Sequence, residues 1–318
     1  MSEVRVSCPL PRPHDTIQLA HGGGGRVMRE LLERLMLPLF SNPTLATRHD
    51  AALLPKPAGR LAFTTDSFVV QPRFFPGGNI GELAVYGTVN DLAMAGATPL
   101  YLSCGLLLEE GYPIEELERV LAAMAEAALR CGVAIVTGDT KVVDKGKGDG
   151  LFINTAGIGV VAEGVSINPQ AVRPGDAVLV SGDLGRHGVA VLSVREGLAF
   201  EVPVQSDCGP VHSLVSALLV GGIEVHCLRD PTRGGLASVL NEIAADAGVA
   251  IEGLEKKIPG LDSVAAACEI LGLDPLYVAC EGRLVAFFPG DQGERTLTLL
   301  RQFPEGKDAA LIGHVSEG

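Results

Sequence analysis

Tryptophan is absent from this chain, aromatic residues make up only 4% of it, and positive charge is scarce: 25 Lys and Arg stand against 38 Asp and Glu, a net charge of -13. Nucleic acid and anionic membranes are held by clustered Lys and Arg, so an acidic surface of this kind excludes both. A phosphate-bearing ligand must then be neutralised locally, by a metal held on carboxylates and by a few placed cations. No Cys-x-x-Cys pair occurs. The seven cysteines, Cys8, Cys104, Cys131, Cys208, Cys227, Cys268 and Cys280, are scattered along the chain. They read as free thiols in a reducing compartment rather than as a disulfide frame or a zinc site. No apolar signal core opens the chain. The longest uncharged stretch, Leu92 to Leu108, is interrupted by Gly96, Pro99 and Gly105, which suits coil and a buried strand better than a membrane span. The expected location is the cytoplasm.

Glycine, by contrast, is abundant at 40 residues, and the 47% apolar and 20% charged content is that of a globular protein. A chain of 318 residues can build two domains with cores of their own. Residues 1–15 are polar and carry Pro9, Pro11 and Pro13, which predicts a mobile arm. Asn168-Pro169 and Arg173-Pro174-Gly175 punctuate the stretch from Ala162 to Gly175 and place a boundary there. The domains are therefore expected at 16–165 and 166–318, both α+β.

Strand-like runs lie at Arg60–Thr65, Leu100–Leu108, Val133–Thr137 and Leu151–Val161 in the first half. They recur at Ala177–Val180, Val225–Leu228, Leu284–Phe288 and Leu311–Val315 in the second. Helices are predicted near Ile80–Ala95, then from Pro113 to a stop at Gly132, and at His187–Glu196, Val211–Val220, Leu236–Ala247 and Ser263–Leu271. A short apolar run, Ile17 to Ala20, reads as a strand leading through four glycines into a helix marked by Val27, Met28, Leu31, Leu32 and Leu35.

Three acidic motifs carry candidate chemistry. Thr64-Thr65-Asp66 lies just past a strand, Asn90-Asp91 sits in a Gly/Ala-rich helix, and Gly138-Asp139-Thr140 ends a strand. Carboxylates at strand ends among small residues suit an oxygen-ligated Mg²⁺ that bridges phosphates. Each motif alone reads more readily as a turn former or a helix cap. Gly22, Gly23, Gly24 and Gly25, set between His21 and Arg26, resemble a phosphate-covering loop but lack the Gly-Lys-Ser/Thr ending of a P-loop. Arg229-Asp230-Pro-Thr-Arg233-Gly-Gly235 offers cations and backbone amides to an anion, or is a capped helix start. Lys141 and Glu281 are single polar residues beside apolar strands.

Taken in order, these motifs resemble a known family. Phe63-Thr-Thr-Asp66-Ser-Phe-Val69, Gly87-Thr-Val-Asn-Asp91-Leu-Ala-Met-Ala-Gly96, Gly138-Asp-Thr-Lys141-Val-Val, the Arg229–Gly235 run and Ala279-Cys-Glu281-Gly282 look like the HypE hydrogenase maturation factors. These belong to the PurM-like superfamily shared by aminoimidazole ribonucleotide (AIR) synthetase and selenophosphate synthetase. The resemblance implies a two-domain α+β PurM-like fold and a homodimer whose first domains pair through their sheets, with ATP bound in the cleft between domains. It implies that Asp66, Asp91 and Asp139 hold Mg²⁺, and that the Gly22–Gly25 loop, Thr65, Asn90, Thr140, Arg229, Asp230 and Arg233 hold ATP and its phosphates. Lys141 and Glu281 would manage protons.

The implied reaction is the ATP-dependent dehydration of a C-terminal Cys S-carboxamide, delivered by the partner HypF, to a thiocyanate. Its cyanide then passes to iron on the HypC–HypD complex for [NiFe]-hydrogenase. HypE chains end in Pro-Arg-x-Cys, whereas this sequence stops at His314-Val-Ser-Glu-Gly318; the expectation is therefore an ATP-handling core without its acceptor thiol. The rival readings are a tail-less ATP-binding scaffold and another kinase or ligase of the superfamily.

Overall fold

The computed structural model describes residues 14–198 and 203–318. The arm expected over residues 1–15 lies outside the described residues, apart from His14 and Asp15. Helix α1 (Arg26–Leu31) continues through a π-turn at Leu32–Met36 into the short α2 (Leu37–Leu39). Strand β1 (Arg60–Phe68) and a hairpin of β2 (Phe74–Phe75) with β3 (Gly78–Asn79) come next. Then follow α3 (Ile80–Met94), β4 (Ala97–Glu109), α4 (Ile114–Cys131), β5 (Ala134–Val143) and β6 (Leu151–Val161). The second half holds β7 (Asp176–Val180), α5 (Arg186–Arg195), α6 (His212–Val220), β8 (Cys227–Arg229), α7 (Gly235–Ala247) and β9 (Val249–Gly253). It ends with α8 (Asp262–Leu271), β10 (Val285–Pro289), α9 (Gly293–Leu300) and β11 (Ala310–Glu317).

Each half builds one sheet. The first has the order β1-β6-β4-β5, with β4 and β5 parallel and the other pairs antiparallel. The second, β8-β10-β7-β11-β9, is antiparallel throughout. Helix α4 follows from its periodicity: Leu117, Val120, Leu121 and Met124 recur on one side and are wholly buried. Pro113 is its N-cap, and Gly132 ends it in the left-handed region (φ 66°) that glycine adopts at no steric cost. Helix α3 is apolar nearly all round. The Asn79 side chain caps it by accepting the N–H groups of Gly81 and Glu82. Its full burial follows from its place: one side packs on the first sheet and α4, the other on α6 and β8 of the second half.

Alternation leaves the far face of the first sheet open. Along β1, Ala62, Thr64, Asp66 and Phe68 point toward the helices, while Leu61 and Phe63 are 65% and 70% exposed. Leu107 of β4 joins them at 43%.

Several boundaries differ from expectation. Strands β1 and β5 run on through Asp66 and Asp139 instead of stopping short of them, because each stays in register with its neighbour to the end. The run Ile17–Ala20 forms no strand: only Thr16 bridges to Pro113, and Leu19–Gly22 turns into a 3₁₀ helix. Strand β9, whose residues are half-buried or exposed, and the short α9 were not anticipated. The six described cysteines are free thiols. Among the described residues no helix is long and apolar enough to cross a membrane.

Candidate active site

Four carboxylates from distant parts of the chain meet where the two halves face each other. Asp66 lies on the helix-facing side of β1, and Asp91 in the last turn of α3. Asp230 follows β8, and Glu281 precedes β10. The Thr64 hydroxyl, on the same face of β1 as Asp66, donates to Asp91 Oδ2 at 3.0 Å. Burial pushes the Asp91 carboxyl up, the Thr64 hydrogen bond offsets part of this, and Asp66 adds to it. Asp230 is pushed up to about 6 by burial and then by Asp91. Glu281 is held well above the usual carboxylate range by burial and then by Asp230, Asp207, Asp66 and Asp91. Carboxylates that raise one another share one space.

Arg229 is the cation beside Asp91 and Asp230, and its guanidinium is engaged with Glu242 Oε2 at 3.0 Å. The cluster therefore has a net need for positive charge. Its donors are all hard oxygens, which suit Mg²⁺. Among the described residues, no three His, Cys, Asp or Glu side chains stand close enough to enclose a metal ion. The arrangement fits an ion that takes one or two carboxylates and completes its shell on a ligand's phosphates, as Mg²⁺ does in nucleotide sites.

Asp139 does not join this cluster within the chain. Ser67, Asn154, Gly105 and Asp139 stand in register across β1, β6, β4 and β5. Three strand spacings, or roughly 14 Å, thus separate Asp139 from the Asp66 edge. Its carboxylate, held below the usual range chiefly by the hydrogen bond from Lys141, accepts from Lys141 Nζ at 2.6 and 2.7 Å. Register with Gly105 and Leu107 places Asp139 and Lys141 on the open face. The glycine loop lies at the same edge. A Cβ at Gly22 would come within 2.6 Å of Val142 N, so only glycine lets the loop lie against β5. Gly24, Gly25, Arg29, Asp50 and Asp139 line the mouth of a crevice of about 810 Å³ floored by Met36 and Phe40.

Three expected phosphate ligands have other tasks. Asn90 is 2% exposed; its Oδ1 accepts from Val211 N at 2.8 Å and its Nδ2 donates to Gly209 O at 3.0 Å. Both ends of its amide are thus spent on tying α3 to the segment before α6. Thr65 points to the open face, where its hydroxyl donates to Thr155 O and accepts from Asn154. Its neighbour Thr64 is the residue that reaches the cleft. Thr140 is buried, with its hydroxyl against Met36 Sδ at 3.9 Å. Arg233 is exposed and, among the described residues, without an ion-pair partner. Asp50 and Asp207 were not anticipated, and no motif marks them; Thr64 belongs to the Thr64-Thr65-Asp66 motif, from which Thr65 rather than Thr64 was expected to be the ligand.

Known proteins can be set against this geometry. The family model of the AIR synthase related protein N-terminal domain matches residues 48–161, and that of the C-terminal domain matches 173–318. Carbamoyl dehydratase HypE of Azotobacter vinelandii is 52% identical over 300 residues, 94% of this chain and 88% of the relative. This chain belongs to the HypE family. The crystal structure of hydrogenase maturation protein HypE in complex with ATP superposes with a TM-score of 0.92 at 49% identity, covering 94% of this chain and 89% of that one. HypE in the crystal structure of the HypE–HypF complex superposes at 0.80 with 48% identity, covering 91% and 93%. The two-domain PurM-like fold that the motifs implied is the fold observed.

Proposed function

We propose that this chain is a cytoplasmic ATP-dependent carbamoyl dehydratase of [NiFe]-hydrogenase maturation, converting a Cys S-carboxamide to a thiocyanate. The observation that carries this reading is the gathering of Asp66, Asp91, Asp230 and Glu281 where the two halves face each other, with the Thr64 hydroxyl on Asp91 and Arg229 as the neighbouring cation.

The chemistry explains the need for ATP. A carboxamide oxygen is a poor leaving group; accepting the γ-phosphoryl of ATP turns it into phosphate. Loss of that phosphate and of both nitrogen protons leaves S–C≡N, with ADP as the other product. Asp66 and Asp91 would hold Mg²⁺, which when bound neutralises the triphosphate. Arg229, beside Asp91 and Asp230, and the exposed Arg233 would meet phosphate oxygens, and Asp230 would add a further oxygen donor. Glu281, whose carboxyl is held well above the usual carboxylate range by burial and by the neighbouring carboxylates, would exchange protons with the carboxamide; such general acid–base help is worth ~10²–10⁴-fold. The glycine loop would exclude water, which protects the phosphorylated amide from hydrolysis.

The open sheet face supports a homodimer. Leu61 and Phe63 are exposed together on β1, and Leu107 lies farther along the same face, apolar surface that a second copy would cover. Asp139 and Lys141 lie on that same face, so a role for them beside Glu281 is a role across the dimer. HypF is the proposed carbamoyl donor, supported by the family's HypE–HypF complex, and HypC–HypD the proposed cyanide acceptor.

The test is calorimetric. The chain should bind Mg-ATP, and Asp91→Asn should bind it at least tenfold more weakly; equal affinity would remove the metal role given to Asp91. A peptide ending in Pro-Arg-Ala-Cys with an S-carboxamide should yield thiocyanate and ADP together, by mass spectrometry and coupled assay.

A further inference from the structure

Asp207 stands behind Glu281 rather than in the cleft. It is 8% exposed, and its carboxylate bonds to backbone: Oδ2 accepts from the N–H groups of Glu281 and Gly282, both at 3.0 Å, and Oδ1 from that of His187 at 2.9 Å, near the start of α5. The contact is close. A Cβ at Gly282 would lie 1.8 Å from the Asp207 carbonyl oxygen, so residue 282 is glycine because the two backbones touch. Two residues on, the Gly209 N–H donates to Glu281 O at 3.3 Å, and Gly209 is itself held by Asn90. Glu281 thus has both its N–H and its C=O fixed by one segment, 207–209.

A carboxylate is needed for this arrangement. Three N–H donors converge on two acceptor oxygens, whereas an Asn would turn an NH₂ toward one of them. The groups facing Glu281 are Asp66 from β1, Asp91 from α3, Asp230 after β8, and Asp207 and Cys208 behind it. Arg283 lies beside Asp207, with its Nε and one Nη on Asp183.

We propose that Asp207 is the positioning residue for Glu281: it fixes the backbone from which that side chain enters the cleft, and it places a like charge behind it. The proposal rests on the reading of Glu281 as the proton-handling group. Asp207 touches neither nucleotide nor carboxamide and acts through Glu281 alone.

The experiment is a double-mutant cycle of Asp207→Asn and Glu281→Gln on the full chain, reading kcat and KM for ATP in the peptide assay and thermal melting of each variant. Glu281→Gln should slow turnover ~10²-fold or more. Asp207→Asn should slow it roughly tenfold with KM for ATP within about twofold of native, since a displaced proton-handling group slows turnover without loosening the nucleotide. In the Glu281→Gln background it should do nothing further. If Asp207→Asn does not fold, Asp207→Ser, which admits a water, is read in the same way. The same fold loss in both backgrounds, or a KM for ATP that rises in step with the fall in kcat, makes Asp207 merely structural and overturns the proposal. Native turnover in Asp207→Asn beside a slow Glu281→Gln overturns it while leaving the role of Glu281 standing. Native turnover in Glu281→Gln removes that role and the proposal together.

Discussion

Replacing Asn90 by Ala separates two accounts of the Asn90-Asp91 pair. As a nucleotide ligand, Asn90 would be dispensable for folding and needed for ATP. Its geometry says the reverse. The substitution removes two hydrogen bonds and leaves the Gly209 carbonyl and the Val211 N–H without partners in a dry contact between α3 and the segment leading to α6. An unsatisfied buried backbone group costs about 1–3 kcal/mol. The pair should therefore cost roughly 3 kcal/mol after partial relaxation, with some further loss from the cavity. For a domain of this size, about 2–4 °C in melting midpoint follows each kcal/mol, so Asn90→Ala should melt roughly 6–12 °C lower. Differential scanning calorimetry without nucleotide reads this directly. Titration with Mg-ATP well below the transition should then find affinity changed less than about threefold, because Asp66, Asp91 and Thr64 are untouched. An unchanged melting curve together with a large loss of ATP affinity would refute the staple and return Asn90 to the nucleotide site.

Two further outcomes follow from exposure and charge. Phe63→Glu should give a monomer in sedimentation at micromolar concentration while the chain's own melting stays nearly native, since a residue 70% exposed contributes little within one copy; a dimer surviving this change places the interface elsewhere. Asp230→Asn should stabilise the nucleotide-free protein near neutral pH. With the folded carboxyl pushed up to about 6 from an ordinary 3.8, the unfolded chain releases its proton first as pH rises. Stability attributable to this group is then lost between about pH 4 and 6, the opposite of a salt-bridged Asp. The advantage of the variant should be absent below pH 4 and reach about 1–3 kcal/mol above pH 6; no difference at pH 7.5 would contradict the crowding of the cleft.

Most of the fold was legible because periodicity is a local property. Leu117, Val120, Leu121 and Met124 announce α4 and Gly132 its end, and β6 spans the same residues the apolar run marked out. Strand β9 escaped because its residues are half-wet on both faces and carry no alternation to detect. The motifs pointed to the right neighbourhoods, but neighbours in sequence face opposite ways. Thr64 and Thr65 lie on two sides of one strand, and the choice between them depends on β1 continuing past Asp66, which only its pairing with β6 reveals. Asn90 and Asp91 are one step apart on a helix, roughly 100° of rotation, so that one looks at the 209–211 segment and the other at the cleft. Asp207 carries no motif at all. Its role is visible only once residues 187, 281 and 282 are in place around it.

The cleft and the open sheet lead to the same conclusion by separate routes. A chain that crowds Asp66, Asp91, Asp230 and Glu281 together gives up stability when it is alone, since each ionised carboxylate makes the next harder to ionise. Thr64 and Arg229 offset only part of this. Such a site is most at ease when cation and phosphates occupy it, so ligand binding should tighten the contact between the two halves, with α3 caught between them. Meanwhile Lys141, proposed as the cation near the carboxamide, sits three strands away and faces outward with Asp139. A lysine pointed out of an apolar sheet face serves a site within its own chain poorly, but it serves the site of a copy packed against that face well. In the proposed homodimer the shortage of positive charge in the cleft and the exposed apolar surface on the sheet would be two sides of one design, in which the second copy completes what one chain leaves unbalanced.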